Sequence, residues 1–313
     1  MRFIDKAEVG RRLTYEAAIA LVREAMIAFS AGRTRQLLRS ILPLAGERMF
    51  GVMPGALGEA APFGAKLISV FPGNFSHGLP SHQGLIVLFD PESGAAVCAV
   101  DAGEVTAIRT AAASAVATDA LARPDARRLA ILGYGEQATT HLRALTKVRP
   151  ISEVAVWGRS PERAARFAAA MEAELGLPCA ALADAHAAVA QADIVCTLTA
   201  ATDPILAGAW LAPGSHVNLV GAGHAGQAEA DAEVIVRSLF IADSREGVEA
   251  QGGEFRRARA AGHDVAIAGE IGEVLAGTRP GRQDVDEITV YKSLGHVVQD
   301  LACAWALHSG EGL

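Results

Sequence analysis

The stretch LAILGYGEQA, Leu129 to Ala138, decides how the rest of the chain is read. Four apolar residues run into Gly133-Tyr134-Gly135-Glu136-Gln137-Ala138, a G-x-G-x-x-A that opens a helix. The first glycine permits a tight turn, and the second lets the backbone approach a pyrophosphate. The small third residue allows close helix packing, with the helix N-terminus facing the anion. Glycine turns are common, so a lone one is weak. Here a strand precedes it, a helix follows and a second strand holds Val154, so the spacing predicts dinucleotide binding rather than a structural turn.

Outward from that turn, strand and helix alternate. Arg128 to Leu132 reads as a strand, Gln137 to Val148 as a helix, Glu153 to Trp157 as a strand and Pro161 to Leu175 as a helix. Further strands are expected at Asp193 to Leu198, Ser215 to Val220 and Leu239 to Asp243. This alternation predicts βαβ units in a doubly wound parallel sheet of Rossmann type. Upstream of the polar break Arg123-Pro124-Asp125 the pattern differs. An amphipathic helix spans Thr14 to Ala31, with Ala17, Ala18, Leu21, Val22, Ala25, Met26 and Phe29 at helical spacing before Gly32. Short β-rich runs follow at Arg39 to Leu44, Met49 to Met53, Gly64 to Val70, Gly84 to Asp90 and Ala95 to Asp101, with DPESG at 90–94 as a hairpin turn. Gly103 to Leu121 is a long helix with an alanine-rich face. Val265 to Leu275 and Ile288 to Tyr291 lead into a last helix near His296 to His308. The expected organisation is α/β: a Rossmann-type domain over 118–292, and an α+β domain over 1–117 plus 293–313.

Composition agrees with two globular domains. The chain has 313 residues, 51% apolar and 20% charged, and domains run to about 100–200 residues each. A net charge of −7 supplies no basic field, which argues against nucleic acid or an anionic membrane as partner. Cys98, Cys179, Cys196 and Cys303 form no C-x-x-C pair and read as reduced core thiols. The histidines include no H-E-x-x-H and no i, i+4 pair, so no metal site is expected. The start, MRFIDKAEVGRR, lacks a signal-peptide apolar run, and no stretch approaches the roughly 20 apolar residues that span a bilayer, so a cytoplasmic location is expected.

The second strand of the alternating region ends Val156-Trp157-Gly158-Arg159-Ser160, where an NAD site would usually carry an acid for the ribose hydroxyls. No acid stands there. The Arg159 guanidinium can pair with a 2′-phosphate and the Ser160 hydroxyl can donate to it, so NADP(H) is favoured and NAD(H) stays possible. The alternative is that Arg159 is a solvated loop residue and specificity is loose.

FPGN at 71–74, GLIVLFDPESG at 84–94, AIRTAAASA at 107–115, ILGYGEQA at 131–138 and ITVYKSLGHVVQDLA at 288–302 occur in one order. In these motifs the sequence resembles the ornithine cyclodeaminase/mu-crystallin family, from the first helix almost to the C-terminus. The resemblance implies a homodimer whose first domain, with the C-terminal helix added back, binds substrate and builds the dimer interface. Members include ornithine cyclodeaminases, ketimine reductases, alanine and related amino-acid dehydrogenases and an NADPH-binding lens protein. Their shared chemistry moves a hydride between the nicotinamide and the α-carbon of a small amino or imino acid, so the site must clamp a carboxylate and manage protons at nitrogen.

The same resemblance assigns residues. Arg109, in Arg-Thr-Ala-Ala, matches the arginine expected to hold the substrate carboxylate, its planar fork suiting bidentate pairing. Lys66 matches a lysine near substrate, able to bind the carboxylate or, with a lowered pKa, to exchange a proton with the imine nitrogen. Arg39 is a second carboxylate candidate. On the cofactor side the resemblance carries Glu136, Gln137, Thr197, Thr199, Val220, Gly221, Gly223 and Ser293, which stand with Thr110 and with the residues read directly above, Gly133, Gly135, Arg159 and Ser160. Each could instead be an ordinary strand, helix or loop residue; position after a parallel strand favours a ligand role for the loop members.

The pattern also breaks. Ornithine cyclodeaminases carry a segment of the type G-A/G-D-x-P-G-K-x-E, whereas this chain reads Gly221-Ala222-Gly223-His224-Ala225-Gly226-Gln227-Ala228-Glu229. Gly223 replaces the aspartate and Gln227 the lysine, while Gly51 stands where those enzymes have a glutamate before Pro54. The missing carboxylates are groups suited to a diamino acid's nitrogen. His224, with an ordinary pKa of about 6.5, is a candidate proton donor to a ketimine, or else a solvated loop histidine. Glu229 retains the family acid as a loop-positioning group. The leading expectation is an NADPH-dependent reductase of small cyclic imino acids such as pyrroline-2-carboxylate or piperideine-2-carboxylate. Ornithine cyclodeamination, open-chain amino-acid dehydrogenation and non-catalytic NADPH binding of the crystallin kind stay open as alternatives.

Overall fold

A computed structural model describes residues 1–46 and 48–313. They divide into two compact units, 1–112 with 295–313 and 113–294. The first boundary falls inside the helix Ala102–Leu121, and the cut expected at 117/118 lies further along that same helix.

The first unit is built on a mixed sheet of β1 (Arg2–Ile4), β2 (Arg35–Gln36), β3 (Ser40–Pro43), β4 (Met49–Ala56), β5 (Phe63–Val70), β6 (His82–Phe89) and β7 (Ala96–Asp101). The order is β1-β7-β6-β5-β4-β2, with β3 paired to β4 and only the β1–β7 pair parallel. Register aligns Met53, Lys66 and Ile86 across β4, β5 and β6, and the two-residue period places Ile68 and Leu88 on the same buried face. The helix Tyr15–Ser30, capped by the Thr14 hydroxyl on Ala17 N, buries Ala18, Val22, Ala25 and Met26. It packs on the C-terminal helix Val297–Ser309, which also lies on β4, β5 and β6. The turn at 90–94 closes the β6–β7 hairpin: Asp90 Oδ1 accepts from Ser93 N and Ser93 Oγ, and Gly94 adopts φ +70.

The second unit is a parallel sheet of β8 (Arg128–Leu132), β9 (Glu153–Trp157), β10 (Cys179–Ala181), β11 (Ile194–Thr197), β12 (His216–Leu219), β13 (Ser238–Ala242), β14 (Gly269–Glu270) and β15 (Ile288–Lys292). Its order is β10-β9-β8-β11-β12-β15-β13-β14. Chain order reverses between β8 and β11, which places a ligand crevice at the carboxyl ends of those strands. Leu129 to Leu132 are buried on both faces, the pattern of a central parallel strand. The helix expected over 137–148 spans Glu136–Leu145, after which Lys147 and Val148 close turns onto Ala144 and Leu145. Ser160 caps the helix Pro161–Leu175 and Gly176 ends it at φ +66.

The four cysteines are free, and burial pushes the thiols of Cys196 and Cys303 up to about 12. Among the described residues no helix is long and apolar enough to cross a membrane, and no group of three His, Cys, Asp or Glu is placed to hold a metal ion.

Candidate functional site

The glycine turn follows β8 in the second unit. Gly133 sits at φ +131, and a Cβ there would come within 2.7 Å of Leu198 O, so only glycine lets the turn pass the loop after β11. Gly135 is the N-cap of the helix Glu136–Leu145, without any side-chain cap, and a Cβ on it would meet no atom within 4 Å. An uncapped helix start beside an open backbone is a phosphate cradle. Gln137 Oε1 is buried there without a hydrogen-bond partner among the described residues, and the hydroxyl of Ser293, just past β15, is buried in the same state. In the first unit, Thr110 carries a buried hydroxyl without a hydrogen-bond partner among the described residues. Glu136 is exposed. The open amides of this turn and the orphaned Gln137 and Ser293 atoms, all in the second unit, fit a dinucleotide.

The loops after β11 and β12 are fastened by one carboxylate. Glu229, fully buried, accepts from Thr199 N and Thr199 Oγ1 at 2.7 Å on Oε1, and from Thr197 Oγ1 and Gly221 N at 2.7 Å and Ala222 N at 3.1 Å on Oε2. Burial pushes this carboxyl up, while the threonine hydroxyls and the Lys292 charge pull it back. Behind it, Glu254 accepts from Glu229 N and pairs with Lys292 at 3.0 Å, and Lys292 donates to Ala222 O at 2.8 Å. Thr197 and Thr199 therefore spend their hydroxyls on Glu229, and their contribution to a ligand site is to shape the loop. Val220, Gly221 and Gly223 follow β12 at the strand ends; Gly223 N donates to Gln227 Oε1 at 3.1 Å, so Gln227, standing where the related pattern has lysine, ties the loop to itself. His224 is exposed, and its Nδ1 accepts from Gly226 N at 3.3 Å.

At the far end of β9, Arg159 is exposed. The Ser160 hydroxyl accepts from Arg163 N at 3.3 Å and donates to Glu162 Oε2 at 2.8 Å. It is committed to the helix start, and its hydrogen points at a carboxylate. Glu162, two residues beyond Ser160, thus brings a carboxylate to this strand end, a group the sequence reading passes over because it sits inside a helix. The Tyr134 ring lies against Gly158, where a Cβ would approach Tyr134 Cε1 to 2.2 Å.

The first unit gathers the other candidates. Lys66 Nζ lies 3.0 Å from both Asp300 oxygens and 3.3 Å from Thr106 Oγ1. Arg109 donates from Nε to Asp300 Oδ1 at 3.0 Å and from Nη1 to Gln299 Oε1 at 2.9 Å, while Nη2 takes no hydrogen bond among the described residues. Arg39 donates to Gly295 O at 3.4 Å, and the Arg39 charge reaches Lys66. Gly295, at φ +82, leaves room for Arg109, since a Cβ there would sit 2.8 Å from Nη1. Lys66 is 2% exposed and Arg109 4%. Burial and the charges of Arg109 and Arg39 outweigh the pull of Asp300 and lower Lys66 to about 8. Lys66 and Arg109, far apart in sequence, are thus brought together around one acid, with Arg39 close enough for its charge to act on Lys66. Asp300 and Gln299 are the residues sequence reasoning missed. The available signal was an acid inside the apolar run VVQDLACAWAL, which a buried helix tolerates only with a cationic partner.

A parallel sheet with an open phosphate turn at its switch point defines a Rossmann-type dinucleotide-binding protein, whose other unit holds a buried cluster of two cations on one acid. The chain belongs to the ornithine cyclodeaminase/mu-crystallin family, whose sequence model matches residues 2–310. It is 36% identical over 307 residues to the ketimine reductase mu-crystallin of Mus musculus, covering 96% of this chain and 95% of that protein. It is 42% identical over 255 residues to the delta(1)-pyrroline-2-carboxylate reductase of Paracoccus denitrificans, covering 79% and 78%. The structure of the Thermococcus litoralis delta(1)-pyrroline-2-carboxylate reductase in complex with NADH and L-proline matches with a TM-score of 0.94 at 32% identity, covering 99% of this chain and 98% of that one.

Proposed function

We propose that the chain is an NAD(P)H-dependent reductase of small cyclic imino acids, converting ketimines of the pyrroline-2-carboxylate or piperideine-2-carboxylate kind to the cyclic amino acid. The observation that carries this reading is the pair of buried cations, Lys66 and Arg109, in a chain with glycine at 51 and 223 where diamino-acid cyclodeaminases have carboxylates. Cations without those acids suit a substrate with one carboxylate and no second amine. The bound dinucleotide supplies the hydride to the C=N carbon. Arg109 grips the carboxylate through Nη2, Lys66 adds the second charge, and Arg39 lies close enough to contribute. Holding the carboxylate holds the α-carbon one bond away, which is the positioning part of catalysis. His224, whose Nδ1 accepts from Gly226 N and so leaves the proton on Nε2, is the donor to the ring nitrogen, directly or through water.

NADP(H) is the preferred cofactor in this reading, on the strength of Arg159, with Glu162 opposing it and leaving NAD(H) usable. Arg159→Ala should raise the KM for NADPH about tenfold and leave that for NADH nearly unchanged; an equal effect on both removes Arg159 from the 2′-phosphate site. A second copy of the chain covers the outer sheet face of the first unit, where Leu42, Phe63 and Leu85 are exposed beside Val52 and Leu67. The reaction itself is tested by NADPH and NADH oxidation with cyclic ketimines, run beside L-ornithine with NAD. Oxidation with ketimine and no ammonia from ornithine is expected; proline and ammonia from ornithine would overturn the assignment.

A further inference from the structure

Asp300 makes three charged contacts, both oxygens to Lys66 Nζ and Oδ1 to Arg109 Nε, all at 3.0 Å and from a fully buried side chain. A structural ion pair would match one acid to one cation. This acid is shared by two, so among the described residues the Lys66–Arg109–Asp300 cluster keeps a net positive charge where burial makes it costly. The geometry is also directional. Asp300 takes the Nε edge of Arg109 and Gln299 takes Nη1, which leaves Nη2 alone to meet an incoming anion. The helix Val297–Ser309 carries both acceptors, and Gly295 just ahead of it makes the space for the guanidinium.

We propose that Asp300 is the positioning residue of the carboxylate subsite, holding the Lys66 ammonium and the Arg109 guanidinium so that both present to one substrate carboxylate. The proposal rests on the imino-acid reductase reading and adds a residue to it. Asp300 touches neither substrate nor cofactor in this account and acts through its two cations.

A second consequence concerns protons. The titratable and charged groups around Lys66 are Asp300 and Cys303 on the C-terminal helix, Arg109 on the helix Ala102–Leu121, Arg39 ahead of β3 and His82 on β6. Burial keeps the Cys303 thiol neutral by pushing it up to about 12, and desolvation with the Lys66 charge lowers His82. Asp300 is therefore the acid in contact with Lys66 among the described residues, opposed by two arginines. Without its carboxylate, burial and the arginine charges act unopposed and Lys66 loses its proton at lower pH.

The test is Asp300→Asn, followed by the pH dependence of kcat/KM for a cyclic ketimine and by NADPH affinity. The basic limb should move down by about one unit or more, and kcat/KM at neutral pH should fall by roughly 10- to 100-fold, mostly through KM. NADPH affinity should be unchanged, and Asp300→Glu should restore part of the limb. A limb at the wild-type pH in Asp300→Asn would overturn the proposal. Should that variant not fold, Lys66→Arg serves, because a guanidinium keeps its proton: its basic limb should vanish or move above about pH 10, and an unmoved limb counts against the proposal. If the wild type turns over no cyclic imino acid, the function reading fails separately. The titration of Lys66 by carbon-13 lysine NMR still decides the role of Asp300, since the chain has four lysines, Lys6, Lys66, Lys147 and Lys292, and substitution assigns them.

Discussion

Two buried charge clusters, one in each unit, use the same residue types to opposite ends. Around Glu229 the donors outnumber what a carboxylate needs: three backbone amides and two hydroxyls converge on it, and Lys292 is shared with Glu254 behind. That cluster is saturated, and its product is a loop held in one conformation. Around Asp300 the cations outnumber the acid, and Arg109 keeps one nitrogen without a hydrogen bond among the described residues. That cluster holds more positive than negative charge, and in the proposed reading the substrate carboxylate balances it. Burial alone does not separate a binding site from a scaffold; the balance of donors, acceptors and charge does.

The contrast breaks most sharply at Arg109. Arg109→Ala should cut kcat/KM for a cyclic ketimine by about 10³-fold, or about 4 kcal/mol, because it removes a desolvated partner of the substrate carboxylate. Protein stability and NADPH binding should change little beside that loss, which parallel kinetics and cofactor titration would show. Glu229→Gln should behave the other way. Its amide turns a donor toward backbone N–H groups of Thr199, Gly221 or Ala222, which only donate, so unfolding free energy should fall by about 3 kcal/mol in urea titrations, while the pH profile of the folded enzyme stays where it was. A kinetic loss without a stability loss at Glu229 would erase the distinction between the two clusters.

A smaller effect sharpens it through protons. Lys66 is lowered from 10.5 to about 8 in the folded chain, so between those values the unfolded chain holds a proton that the folded chain has released. Stability contributed by this group therefore rises with pH across that window, whereas carboxylate binding, which needs the ammonium, falls as pH passes about 8. The slopes are opposite. Comparing wild type with Lys66→Met between pH 7 and about 10.5 isolates both; parallel slopes would show that Lys66 binds substrate in its neutral form or not at all.

The legibility of these features followed their length and their contrast with neighbours. β9 and the helix Pro161–Leu175 were readable to the residue, because a hydroxyl cap, a proline at the first helical position and a left-handed glycine mark the ends. β10 and the five-residue helices Ala185–Val189 and Ala232–Val236 give less than two turns of any period, and no pattern announces them. Lys66 and Arg109 stood out as charges among small apolar residues. Asp300, Glu254 and Lys292 carry the same contrast, but their meaning lies in pairings such as Lys66 with Asp300, 234 residues apart, which one sequence does not display. Glu162 was obscured by its place within a helix, and only the Ser160 contact shows it at the strand end.

The cationic cluster is tested most directly by binding, without turnover. The protein loaded with oxidised dinucleotide is titrated with L-proline and with L-prolinamide, which differ in the carboxylate. Binding of proline at least about 100-fold tighter than the amide, with the difference lost in Arg109→Ala, is the predicted result. Equal affinity for the two, or a preference that survives Arg109→Ala, would contradict the assignment of Lys66, Arg109 and Asp300 to a carboxylate subsite.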